Sequence, residues 1–426
     1  MRFPYYRNNI PSLLKGTAMP NPTATALHGR GVLDIDTGEV IEPGYVRVEG
    51  NRIAEVGSDK HIADDCDEVI ELPELTLLPG FMDMEVNLFM GGPGAGLFDS
   101  VQANPAKMTL RATANARRTL RAGFTTVRNL GLFVKTGGYL LDVALGEAID
   151  AGWVDGPRIV PAGHAITPTG GHLDPTMFQA LAPDVLPITV EEGVADGIDE
   201  IRRAVRYQIK YGAQLIKCCG SGGVMSHTGP AGAQQYSTEE LTAIADEAHR
   251  RGLKVATHCH GDQAVRSAIE AGIDCIEHGF LMSDDTIQLM VDTGTFLVST
   301  TALTENWDVS NQPPELQAKA AEVFPQARQT ISKAIEAGVK IAAGSDAPAI
   351  WHGRNAEELI VLVRRGMTPL QAIRAATVVS ADLIDAPDLG RIAPGMLADI
   401  VGMPGDPLTE IQRVQFVMKN GAVYKR

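Results

Sequence analysis

Eight short β-like runs alternate with amphipathic helical stretches through the middle of this 426-residue chain. The runs are Leu77–Glu85, Thr125–Asn129, Arg158–Ala162, Leu215–Cys219, Val255–His258, Cys275–His278, Phe296–Thr300 and Lys340–Ser345. Helical stretches such as Thr238–Arg251 and Asp262–Ala271 fall between them. A strand that returns parallel to its predecessor needs a crossover, usually a helix, so the alternation predicts βα units. Eight units over about three hundred residues predict an α/β fold, a (β/α)8 TIM barrel whose chemistry sits at the C-terminal ends of its strands.

The flanks have a different texture. Between Thr25 and Leu75 short β-rich runs (Gly31–Ile35, Tyr45–Val48, Gly50–Ile53, Glu68–Ile70) alternate with turn residues, and the same texture returns at Ala398–Gly402, Val414–Met418 and Ala422–Tyr424. Both ends are therefore expected to build one small β-sandwich. The expected division is an N-terminal extension over 1–24, the sandwich over 25–76 plus 385–426, and the barrel over 77–384. The Gly-rich stretches Gly91–Gly96 and Gly170–His172 read as βα loops over the barrel mouth.

Composition narrows the function. The formal net charge of −15 argues against nucleic acid, whose phosphates need a basic surface. No apolar run reaches the length of a membrane span, and Met1–Thr17 has no continuous apolar segment of a signal peptide. The five cysteines show no CxxC spacing and read as reduced thiols, which places the chain in the cytoplasm. A small-molecule substrate is the expectation that remains.

Four residues stand at strand ends. Lys217 closes the fourth run, where a buried ammonium is costly unless a buried carboxylate pairs with it. His258 closes the fifth run and His278 the sixth. One strand-end histidine is more often structural than a ligand; two on successive strands beside a buried lysine suit a transition metal. Asp346 follows the eighth run, placed for general-base work beside a metal or for a helix N-cap. His260 shares the face of His258 by strand alternation and reads as a substrate contact. His172, His227 and His352 lie in loops that would ring the mouth and contact substrate, and Trp351 with Phe89-Met90 would supply apolar walls.

These residues, together with Leu215-Ile216-Lys217, Ile276-Glu277-His278-Gly279, Gly344-Ser345-Asp346-Ala347 and Gly366-Met367-Thr368-Pro369, resemble the amidohydrolase superfamily, in its imidazolonepropionase and Xaa-Pro dipeptidase-like branch. The resemblance runs from about Leu77 to Tyr424. It implies that Lys217 becomes a carbamate bridging metals, that His258 and His278 bind the second metal, and that Asp346 ligates the first and shuttles a proton. It also implies His-x-His after Asp83-Met84, where this chain carries Glu85 and Asn87. Strand two departs as well, with Arg128-Asn129 where an aspartate should follow the arginine.

With both histidines gone, the expected centre is mononuclear: one Zn per chain, with Mn or Co as alternatives, on Lys217, His258 and His278. Glu85 is an extra oxygen ligand or second acid/base group, and Asn87 and Arg128 are substrate contacts. The activity so implied is cleavage of a C–N bond in an amide, carbamate, urea, N-acyl amino acid or dipeptide by a metal-bound hydroxide. The competing readings are a lyase, isomerase or cyclising enzyme using Glu85 for proton transfer, and a metal-free binding relative. A homo-oligomer is implied by the resemblance alone.

Overall fold

The computed structural model describes residues 24–92, 104–176, 187–226, 229–409, 411 and 413–426. The expected extension over 1–24 lies outside these residues except for Ala24, as do His227 and the end of the Gly91–Gly96 stretch.

Sixteen strands form three sheets among the described residues. The N-terminal strands are β1 (Ala24–Leu33), β2 (Val40–Ile41), β3 (Gly44–Glu49), β4 (Arg52–Gly57) and β5 (Glu68–Pro79). The parallel strands that follow are β6 (Phe81–Val86), β7 (Phe124–Asn129), β8 (Arg158–Pro161), β9 (Ile216–Cys219) and β10 (Val255–Gly261). They continue through β11 (Cys275–Leu281), β12 (Phe296–Val298) and β13 (Ile341–Ala342), and the chain closes with β14 (Ile400–Pro404), β15 (Phe416–Lys419) and β16 (Ala422–Lys425). Strands from both ends share one eight-stranded sheet in the order β16-β15-β14-β5-β1-β3-β4, with β2 on β1.

The expected first run, Leu77–Glu85, splits in two. Leu77–Pro79 end β5 and pair with Ile400–Gly402 of β14, whereas β6 starts at Phe81. Gly80 sits at the break, where a Cβ would meet the Thr125 side chain at 2.3 Å.

The parallel strands form a three-stranded sheet, β6-β7-β8, and a five-stranded one, β9 to β13. Backbone hydrogen bonds cross both seams. Ile166 N donates to Lys217 O at 2.8 Å and Cys219 N to Ile166 O at 3.0 Å; Met84 N donates to Ala343 O at 2.8 Å and Asp346 N to Glu85 O at 2.8 Å. Alternation sorts their side chains. Phe81, Val127, Ile159, Ile216, Val255, Ile276, Leu297 and Ile341 join the cluster that includes helix residues such as Leu120, Ile244 and Ile331. Met82, Met84, Leu215, Ala256, Cys275, Val298 and Ala342 form a second buried cluster on the other face.

Local signals place the helices between them. Thr238–His249 starts on a capping box of Ser237 and Glu240, and Asp284–Thr293 starts on Ser283 and ends at Gly294 with φ 71°. No helix among the described residues is long and apolar enough to cross a membrane.

His164, in the loop after β8, is fully buried; its Nε2 lies 2.9 Å from Thr136 Oγ1 and its Nδ1 has no partner. Burial pushes its pKa from 6.5 down to about 4. The unfolded chain therefore takes up a proton below pH 6.5 that the folded chain refuses, and stability is lost as the pH falls from 6.5 to about 4. His164→Gln should remove roughly 3 kcal/mol of that loss, read as a shallower fall in urea midpoint across this window.

Candidate functional site

A cavity of about 220 Å³ lies at the C-terminal ends of the parallel strands, and Glu85, Asn87, His172, Lys217, His258, His260, His278 and Asp346 all border it. Lys217 and His258 reach it by alternation, two residues beyond Leu215 and Ala256 on the same face. The other placements need a break in the strand rule. Register shifts between Asp83 and Val86 accompany Glu85 in β6. His278 follows the inward-facing Glu277, so alternation would turn it outward; its φ of 73° brings it to the cavity instead. Asp346 has φ 51° and Thr300, which holds His278, has φ 46°. With Leu173 (φ 66°), His278 and Asp346 make three non-glycine residues in the left-handed region that border the cavity, and Thr300 lies behind His278, so the fold holds strained backbone here.

Glu85 is the hub. Its Oε1 lies 3.4 Å from Lys217 Nζ and 3.6 Å from His278 Nε2. Asn87 Nδ2 donates to Asp346 Oδ1 at 3.0 Å. Thr300 Oγ1 donates to Ser299 O at 2.8 Å, so it accepts from His278 Nδ1 at 2.7 Å. When the Thr300 hydroxyl is given to Ser299, the His278 proton sits on Nδ1 and Nε2 turns toward Glu85. His172 stacks on His258 with ring centroids 3.9 Å apart, and its Nδ1 meets Ser226 Oγ at 2.9 Å. Asp83, missed in the sequence, underpins the seam: it accepts from Ser345 N, Ser345 Oγ and Asn355 Nδ2 at 2.9, 2.5 and 2.7 Å.

Burial dominates the electrostatics. It pushes His172 and His260 down to about 3 and holds His258 and His278 well below their usual range, so the four imidazoles are neutral at neutral pH. Burial also works against the Lys217 ammonium, yet Glu85 and Glu277 outweigh it and hold its pKa above the ordinary value. Asp346 is raised to about 7, first by burial and then by Asp83 and Glu277, against the pull of Lys217.

Among the described residues, no three His, Cys, Asp or Glu groups stand as a ready cage for an ion. The donor chemistry nonetheless fits one. Glu85 Oε2, His258 Nε2 and His260 Nδ1 are buried without hydrogen-bond partners, and the neutral imidazoles keep lone pairs for a cation. Bare buried lone pairs are costly unless something takes them up.

Other expected residues fall elsewhere. Arg128 does not border the cavity: its Nε donates to Met84 O at 2.7 Å and its guanidinium to Glu277 Oε1 at 2.9 Å, both in the interior. That buried carboxylate, which comes from β11, claims the charge a substrate would have met. His352 is also absent from the wall; its Nδ1 lies 3.2 Å from Thr119 Oγ1, and it borders a separate cleft with Arg118 and Arg354. Trp351 is half exposed and covers Gly92, while Phe89 and Met90 do border the cavity. The rest of the apolar wall, including Phe133, Phe280, Leu303 and Trp307, was not anticipated. Phe280 alone carried a signal, two residues beyond His278 in the same strand.

The chain matches the amidohydrolase family over residues 76–425. It is 32% identical over 428 residues to the ochratoxinase of Aspergillus niger, covering 93% of this chain and 85% of that enzyme. A solved Xaa-Pro dipeptidase with methionine bound in its active site superimposes with a TM-score of 0.87 at 35% identity, covering 95% of this chain and 100% of the other. A prolidase complexed with n-methylphosphonate-l-proline gives 0.85 at 32% identity, with 95% and 100% coverage.

Proposed function

The chain belongs to the amidohydrolase family and is a hydrolase acting on C–N bonds, and from that premise we propose that it cleaves the amide of a small acyl compound, of the N-acyl amino acid or dipeptide-like kind, with the help of one divalent metal ion. The observation that carries this reading is the meeting of two neutral imidazoles, a carboxylate hub and a second carboxylate at one apolar-walled cavity. Ochratoxinase and the Xaa-Pro dipeptidase, by their names, point to the same bond type.

We infer that the two parallel sheets close into one (β/α)8 barrel, which starts at Phe81 and not at residue 77 as expected, and that the single sheet built by both ends, with β5 running to Pro79, is the small second domain in place of the expected sandwich. His258 and His278 would hold the ion, with one anionic oxygen from the Glu85–Lys217 pair. Zinc suits two imidazoles and an oxygen, with a fourth position open. When bound, the ion would polarise the scissile carbonyl and make a neighbouring water more acidic.

The chain's own groups do the rest. Asp346, facing the cavity, takes the proton from the attacking water and hands it to the leaving nitrogen. Asn87, through its bond to Oδ1, fixes the direction of that carboxylate. Phe280, Leu303 and Trp307 exclude water and receive the apolar part of the substrate. His172 and His260 are left to contact its polar edge.

Elemental analysis of protein purified without added metal or chelator should find about one equivalent per chain, and hydrolysis of N-acyl amino acids in labelled water should place the label in the acid product. No metal after reloading with Zn, Mn or Co, or product without label, would sink the reading.

A further inference from the structure

A second concave site lies apart from the catalytic cavity. A cleft of about 520 Å³ is bordered by Arg118, Arg121, His352, Arg354, Glu357, Arg413 and Lys425, none of which borders the cavity described above. We propose that this cleft binds a small anion carrying a phosphoryl group, inorganic phosphate or a phosphate monoester, as a ligand separate from the substrate.

Charge carries the argument first. Five cations share one concave surface in a chain whose formal net charge is −15. Glu357, the one carboxylate among the described residues of the wall, is already engaged: it pairs with Arg354 and accepts from Asn306 Nδ2 at 2.7 Å. Among the described residues no carboxylate pairs with the other four cations. Three of these hydrogen-bond to neutral oxygens instead. Arg118 Nη1 donates to Asn115 Oδ1 at 3.2 Å, Arg121 Nη1 to Tyr424 O at 2.8 Å and Lys425 Nζ to Arg121 O at 3.1 Å. Burial holds the Lys425 pKa below its ordinary value, and Arg413 and Arg121 lower it further. Cations that repel one another across a cleft gain most from an anion between them, and a concave wall of one sign concentrates such ligands.

The second observation is where the cations come from. Arg118 and Arg121 end the helix Pro105–Arg121, Arg354 follows β13, Arg413 precedes β15 and Lys425 ends β16. The negative end of that helix accounts for its own two arginines and for Lys425 on its last carbonyl. It does not account for Arg413, which the tertiary fold brings to the same wall.

The third is the match to a ligand. Arg118, Arg121 and Arg413 are exposed, so their guanidinium forks are open to the paired oxygens of a phosphoryl group. A phosphoryl group near its second ionisation answers several of them at once, where a single carboxylate answers one. Ile360, Ile411 and Val414 also border the cleft and offer an apolar strip for the carbon skeleton of a monoester.

The test is isothermal titration calorimetry of the parent with inorganic phosphate and with glycerol 3-phosphate, at ionic strength matched with chloride. The expected result is about one saturable site per chain, with binding about tenfold weaker in Arg118→Gln and in Arg413→Gln. Both positions are exposed, so circular dichroism of the variants should match the parent. Tighter binding of the ester identifies an organic ligand, and tighter binding of phosphate identifies the free ion; either supports the proposal. No saturable heat from either probe overturns it. So does binding that both variants keep at full strength, which would put the anion at the catalytic cavity, and so does an equal response to chloride. A second copy seated on the cleft overturns it as well, and would show in sedimentation as self-association of the parent that both variants abolish.

Discussion

Asp346→Asn should lower kcat by about three orders of magnitude while leaving the metal equivalent in place. Asparagine fills the same space and can still meet Asn87, whose Nδ2 lies 3.0 Å from Oδ1, so the cavity should keep its shape. What is lost is the oxygen that accepts the water proton. KM should change far less than kcat, because the apolar wall that receives the substrate is untouched. In the parent the same residue sets a pH limb. Burial, with Asp83 and Glu277, lifts Asp346 to about 7, and a base must be deprotonated to act, so turnover falls as the pH drops through that region; a bound dication moves the limb lower. The Asp346→Asn protein should show no such limb. Undiminished turnover in that variant would remove Asp346 from the proposed chemistry.

Arg128→Met carries the largest expected effect on stability. Arg128 and Glu277 are 2% and 0% exposed, and their contact of 2.9 Å lies beneath the cavity. The arginine also donates to the Met84 carbonyl at 2.7 Å, tying β6 and β7 to β11. Removing it strands a carboxylate in the interior and a carbonyl without its donor, a loss of about 3–5 kcal/mol. The double variant Arg128→Met/Glu277→Leu should recover much of that loss, since it removes the stranded charge. Guanidinium midpoints of the single and double variants measure both. If the single variant melts with the parent, the pair is not the interior tie described above.

Two of the cavity residues were legible because they obey the strand rule. Lys217 and His258 stand at strand ends on the inward face, two residues beyond small or apolar interior residues, and alternation locates them without any structure. What stayed hidden depends on partners far along the chain. Nothing near Arg128 signals that Glu277, from another strand, will take its charge. Asn87 reads as a free amide until Asp346 is brought against it. The break at Gly80 was masked by an apolar run that continues through it, since Leu78 and Phe81 are both fully buried although they belong to different sheets. His352 was misjudged for a simpler reason: position after a strand locates a loop, but not which wall of the loop a side chain meets.

The sheet shared by the two ends imposes an order on biosynthesis. Strand β5 pairs with β14 through Pro79↔Ile400 and Leu78↔Val401, and the second partner leaves the ribosome about 320 residues after the first, roughly 15–65 s later at ordinary elongation rates. Until then β5 has an unpaired edge, and edges of that kind recruit other chains. Ribosome-bound intermediates of this protein are therefore open at the edge of β5 for most of translation, and a chain truncated before Ile400 would keep that edge permanently.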